Sequence, residues 1–141
     1  MSTRVVQVFL AFYATFLVGV VIAANIGGTN ELFGPIVRAV PYGDKVGHFA
    51  LIGLLAMLVD LAARRRDFSI GRLSIPMAPL VLFGLVLAEE LSQLALDTRT
   101  CDPLDVAADI AGMVVFVSLG RLVAAKFLPC DSGARRPARR S

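Results

Sequence analysis

The stretch 89-EELSQLALDTRTCDPLDVAADIAG-112 holds six of the chain's eleven acidic side chains, yet 79-PLVLFGLVLA-88 precedes it and 113-MVVFVSLG-120 follows it. Carboxyl groups set between two segments apolar enough for lipid must gather at helix ends or face one another inside a bundle, because a charge turned toward acyl chains costs about 2.5–3.5 kcal/mol at a helix centre. Composition points the same way. With 57% apolar and only 18% charged residues and a mean hydropathy of +0.75, the chain reads as an integral membrane protein and not as a soluble domain.

Four segments approach the roughly 20 residues that a helix needs to cross about 30 Å of hydrocarbon. Val5–Ala24 is the cleanest, and Val46–Ala63 is interrupted only by His48 and Asp60. The third opens around 74-SIPMAP-79, where Pro76 and Pro79 suit a first helical turn, and runs to about Leu96 with Glu89, Glu90 and Gln93 inside it. The fourth spans Pro103–Leu128, with Pro103 placed to open it and Asp105 and Asp109 in its first turns. The expected fold is all-α: a polytopic membrane protein with four transmembrane helices in an antiparallel bundle. Residues 1–128 form one domain without internal repeats. Residues 129–141, PCDSGARRPARRS, offer too little apolar surface to offset ordering entropy and are expected to be a flexible basic tail.

Eleven of the fourteen basic residues fall before the first segment, between the second and third, or at and beyond the end of the fourth. The positive-inside rule then places both termini in the cytoplasm, and the acids of the opening stretch lie on the outer side. Basic residues on the cytoplasmic side face anionic lipid, each contributing about 1 kcal/mol of attraction. A nucleic-acid partner is not expected from scattered tail arginines beside a membrane span, and a 20-residue apolar run exceeds the roughly 7–15 residues of a cleaved signal core. The two cysteines, Cys101 and Cys130, fall on opposite sides of the membrane in this topology and cannot pair within one chain. The 25-NIGGTNELFGP-35 stretch reads as a turn.

At about 1.5 Å per residue, Glu90 and Gln93, Asp105 and Asp109, and Lys45 and His48 share one layer near the outer face. Facing converges as well, since residues three and four apart share a helical side. Asp44, Lys45 and His48 point one way. Gln93 lies about 40° from Glu89 and about 60° from Glu90. Asp105, Asp109, Gly112 and Phe116 line one side of the fourth helix, with Gly112 admitting a neighbouring backbone.

These residues carry a family resemblance. The segments 44-DKVGHFALIGLLAML-58, 90-ELSQ-93, Arg99 and 105-DVAADIAG-112 resemble VanZ-like membrane proteins, a family named after a teicoplanin-resistance protein, and cover most of the chain from Asp44 to Gly120. The chain departs from the family pattern twice: relatives usually carry Asn at the position of Asp109 and often an aromatic at that of Ile52. The resemblance implies a role at the cell envelope in the bacterial inner membrane, with a link to antibiotic resistance of the glycopeptide and teicoplanin type. Resistance itself is a poor expectation for this particular chain.

Two readings of the polar layer stand side by side. In the first it binds or modifies a membrane lipid or lipid-linked envelope precursor: Lys45, Gln93 and Arg99 hold the substrate, Lys45 and Arg99 at its phosphate, while His48, Glu90, Asp105 and Asp109 act as acid or base, with Asp44 and Gly112 structural. In the second it is a polar lock in a non-enzymatic scaffold that binds a membrane-protein partner or a second copy of the chain. No cofactor is expected. A divalent metal on His48, Glu90, Asp105 and Asp109 is allowed by ligand type, but no local pair has metal-ligand spacing. Asp60, four residues before Arg64, has the spacing of an intrahelical ion pair. The sequence lacks a G-x-S-x-G elbow, a phosphate-cradling glycine loop and a second histidine, which removes the usual nucleophilic and nucleotide-binding signatures.

Overall fold

The computed structural model describes residues 3–25, 39–92 and 102–127. Gln93, Arg99, Cys101, Cys130, most of the 25–35 stretch and the 129–141 tail lie outside them. The described residues form four helices and one β-hairpin: α1 (Thr3–Asn25), α2 (Gly43–Ala62), β1 (Asp67–Ile70), β2 (Leu73–Pro76), α3 (Met77–Ser92) and α4 (Pro103–Phe127). Three of the helices, over Arg4–Ala23, Gly43–Ala62 and Pro103–Lys126, are long and apolar enough to cross a membrane. Within the described residues α3 is 16 residues long, about 24 Å at 1.5 Å per residue, and the last residues of the third expected span, 93–96, lie outside them.

Exposure is inverted relative to a water-soluble fold. Phe12 is 78% exposed, Val8 70% and Leu122 66%, whereas Glu90 is 2% exposed and Asp60 and Asp109 1% each. Apolar side chains turned outward around buried carboxyls are the arrangement that hydrocarbon selects, since lipid solvates the former and penalises the latter. The protein is a membrane protein on this ground as well as on helix length.

Helices α2 and α4 form the central pair and run parallel, with Lys45 beside Asp105 near their starts and Arg121 on Asp60 near their ends. Glycine sets their separation. A Cβ on Gly112 would collide with the carbonyl oxygen of Phe49, and one on Gly53 would come within 2.6 Å of the Phe116 ring and 2.8 Å of the Gly112 backbone. Phe49 and Phe116 meet edge to face at 5.8 Å beside this contact, a geometry that the ring quadrupoles favour. Below it Ala56, Met113 and Val117 form the buried core, with Ile52, Leu82, Phe83 and Val86 packed against it. Ile52 therefore serves helix packing. Helix α1 joins α2 through the Tyr13 hydroxyl, which donates to the Leu51 carbonyl at 3.0 Å.

The segment after α2 departs from expectation. Instead of a plain loop leading into a helix opened by Pro76, it is a hairpin whose register pairs Phe68 with Ile75 and Ile70 with Leu73, and Pro76 closes β2. The alternation 67-DFSI-70 and 73-LSIP-76 supports strands. Gly71, at φ 61°, occupies the first central position of a two-residue turn, which glycine fills in a type II′ hairpin. Pro79 does fall in the first turn of α3, as expected.

Arg64 and Arg65 have φ of 59° and 54°. The Arg65 N–H donates to the Asp60 carbonyl at 2.8 Å and the Arg64 N–H to the Leu61 carbonyl at 3.2 Å, the paired bonds of a Schellman ending. Left-handed backbone costs a non-glycine residue about 1–2 kcal/mol, yet both positions hold arginine. This ending also overturns the expected Asp60–Arg64 pair: Arg64 has left the helix, so the four-residue spacing no longer places it over Asp60.

Candidate functional site

The first turns of α2 and α4 and the last turn of α3 bring together Lys45, His48, Glu90, Asp102, Asp105 and Asp109. Helix α4 begins at Pro103 because Asp102 caps it: its Oδ1 accepts the Leu104 N–H at 2.9 Å, and its carbonyl accepts the Asp105 N–H at 2.9 Å. An Asp before Pro at the first helical position is a recognised start signal, and it was the cue that would have placed Asp102 among the candidates. Glu90 reaches from the end of α3 to accept the Asp102 N–H through Oε1 at 2.9 Å, tying α3 to the start of α4.

Lys45 is enclosed by carboxylates. Its ammonium lies 2.9 Å from Asp44 and 2.8 Å from Asp105, and it donates a short hydrogen bond to Asp102. Together with the Leu104 N–H, the Lys45 ammonium holds the Asp102 carboxyl below the usual carboxylate range. With its ammonium on three carboxylates, Lys45 has to release one of them to take a phosphate. Asp44 sits at the rim, half exposed.

His48 contributes the other half of the site. Its Nδ1 lies 3.1 Å from Asp109 Oδ1, while Nε2 is 3.9 Å from Asp105 Oδ2. The first distance is a hydrogen bond and the second is too long for one. The hydrogen bond engages Nδ1, and Nε2 is the nitrogen left for exchange. Asp109 Oδ2 is buried and has no hydrogen-bond partner among the described residues, whereas Asp105 Oδ1 lies 2.8 Å from the Lys45 ammonium. An unsatisfied buried acceptor costs about 1–3 kcal/mol, so Asp109 Oδ2 is an acceptor for which the described residues supply no donor. Among the described residues, five carboxyls, those of Asp44, Glu90, Asp102, Asp105 and Asp109, face one ammonium and one imidazole, a balance that favours a hydroxyl-, amine- or cation-bearing ligand over an anion.

Among the described residues no three His, Cys, Asp or Glu side chains converge in metal-binding geometry; between Asp44, Asp102 and Asp105 the Lys45 ammonium stands where a cation would. Two shallow surface depressions of about 220 and 430 Å³ run along α1, lined by Arg4, Val5, Val8 and Phe9 and by Phe12, Thr15, Phe16, Gly19, Val20 and Ala23. Neither includes a residue of the cluster. Gln93 and Arg99, the remaining expected substrate contacts, fall outside the described residues.

A second charged cluster at the other end of α2 and α4 was not anticipated. Arg121 donates from Nε to Asp60 Oδ2 at 2.8 Å and from Nη2 to Asp60 Oδ1 at 2.7 Å. It also donates to both oxygens of Asp67, at 3.1 and 2.6 Å, and the Ser74 hydroxyl donates to Asp67 at 2.7 Å. Arg121 and Ser74 hold the Asp67 carboxyl below its ordinary range. The sequence showed Arg121 only as one inner basic charge, since its partners lie more than fifty residues away.

No family model, curated protein or solved structure matches the chain.

Proposed function

We propose that the protein is a VanZ-like, multi-pass component of the bacterial inner membrane whose acidic layer near the outer face binds a lipid-linked envelope component through that component's hydroxyl or amine groups. The observation that carries this reading is the His48–Asp109 pair: a buried carboxyl orients the imidazole at Nδ1, and neither Nε2 nor the adjacent Asp109 Oδ2 has a hydrogen-bond partner among the described residues. Such a pair can accept a ligand proton at Nε2 and stabilise the resulting imidazolium through Asp109. Lys45 neutralises and positions the surrounding acids, and any phosphate contact falls to Arg99. Both termini are cytoplasmic in this reading.

The scaffold reading has its own support. Glu90 on the Asp102 N–H and Lys45 among three carboxylates are ties between elements, as a polar lock that seats a partner membrane protein would require. Complementation of a deletion strain by His48→Ala, with lipid analysis alongside, separates the two. A ligand site predicts normal membrane levels and an unchanged melting temperature in detergent, with lost complementation and an altered envelope lipid profile. Full complementation by His48→Ala sinks the binding reading, and lost assembly without a lipid change favours the lock.

A further inference from the structure

The hairpin carries a second surface, independent of the His48 site. Strand alternation puts Phe68, Ile70, Leu73 and Ile75 on one face and Asp67, Ser69 and Ser74 on the other, with cross-strand pairing that keeps each face uniform. The polar face is taken: Asp67 is held by Arg121 and Ser74. The apolar face is open, with Phe68 47%, Ile70 61% and Leu73 60% exposed. Exposed arginines flank it, Arg64 and Arg66 at its base and Arg72 in its turn.

Position decides what covers that face. The hairpin begins five residues after α2 ends, and the Met77 N–H donates to the Arg66 carbonyl at 3.0 Å, closing its base onto the start of α3. Arg121 clamps it beside α4, which continues to Phe127, about 9 Å further at 1.5 Å per residue. The hairpin therefore lies level with the last turns of a membrane-length helix, its polar face inward and its apolar face outward, at the depth where hydrocarbon gives way to headgroups. Backbone strain adds a second argument. The Schellman ending favours glycine at the Arg64 position, and an arginine strained into left-handed backbone there is the kind of outlier that marks a functional position.

We infer that the hairpin is an interfacial anchor that seats Phe68, Ile70 and Leu73 in the adjacent leaflet and binds anionic lipid headgroups through Arg64, Arg66 and Arg72. The pairing of an apolar face with flanking arginines is the composition that binds anionic membrane surfaces. This goes beyond the proposed function, which concerns the opposite end of the bundle, and requires only that the helices span a membrane.

The chain contains no tryptophan, so single introductions report depth without background. Full-length Phe68→Trp and Ser69→Trp proteins are reconstituted in equimolar phosphatidylcholine and phosphatidylglycerol, with one or the other lipid brominated on its acyl chains. The anchor predicts that Phe68→Trp is quenched and Ser69→Trp is not, and that brominated phosphatidylglycerol quenches more strongly. Adding Arg64→Gly should lower that anionic preference by up to about fivefold while the melting temperature holds or rises, since glycine suits the backbone there. Leu73→Trp replaces Phe68→Trp if the latter does not fold. Water-like emission without quenching, equal quenching from both faces, or equal quenching by both lipids overturns the inference.

Discussion

The two ends of the α2–α4 pair bear charged clusters of opposite character. At the hairpin end, Arg121 meets both oxygens of Asp60 and both of Asp67: a planar fork of donors matched to two carboxylates. At the His48 end, Lys45 is shared among three carboxylates, His48 bonds to one oxygen of Asp109, and the buried Oδ2 of Asp109 lacks a hydrogen bond among the described residues. The first arrangement is closed and works as a lock. The second leaves Asp109 Oδ2 without a donor among the described residues, the opening on which the proposed ligand site rests.

The contrast predicts unequal responses to substitution. Arg121→Ala leaves Asp60 buried and unpaired, and should destabilise the protein by about 3–5 kcal/mol, visible as a large loss of thermal stability in detergent. A drop no greater than that of a surface variant would show that the lock is not one. Gly112→Ala tests what lies between the clusters: its Cβ meets the Phe49 carbonyl, rigid backbone, so a loss of about 1–3 kcal/mol from overpacking is expected, with both clusters disturbed together. Asp109→Asn should cost about 1 kcal/mol or less, because the amide oxygen can still accept from His48 and the amide nitrogen adds a donor where Oδ2 is unpartnered. A loss as large as that of Arg121→Ala would make the His48 end a lock too.

The smallest effect is in pH dependence. Asp67 has a folded-state pKa below its ordinary value near 3.8, chiefly through Arg121 and then Ser74. Its contribution to stability is therefore full above the unfolded value and is lost as pH falls through the folded one. Ser74→Ala should therefore lower stability slightly at neutral pH, where that contribution is full, and make the further loss on acidification smaller, so that wild type and variant converge in acid. A difference that is the same at neutral and acid pH would show that Ser74 does not act through the Asp67 carboxylate.

What the sequence disclosed tracks the range of the interactions involved. The extents of α1, α2 and α4 followed from hydropathy, and Gly112 from its place on the acid-bearing side of α4. The meeting of His48 with Asp105 and Asp109 followed from depth and helical face. The Arg121 lock did not, because nothing local joins Asp60 to a residue sixty-one positions on. Asp60–Arg64 had the better spacing and lost to a helix ending that spacing cannot reveal. The hairpin was legible in the alternation of Phe68, Ile70, Leu73 and Ile75 about Gly71, but that signal is four residues long on each side and was outweighed by the prolines and the neighbouring arginines. Lys45 illustrates a further limit: its place beside Asp105 followed from depth and helical face, but the number of carboxylates around its ammonium depends on how elements close.

His48 is the only histidine in the chain, so its imidazole can be followed by nitrogen NMR without assignment. The most direct measurement is that spectrum in detergent micelles, recorded before and after addition of envelope lipid extract. An open site predicts a protonated, hydrogen-bonded Nδ1 throughout and an Nε2 resonance that moves with added extract, a response lost in Asp109→Ala. An Nε2 resonance indifferent to the extract would contradict the account and reduce both ends of the bundle to structural locks.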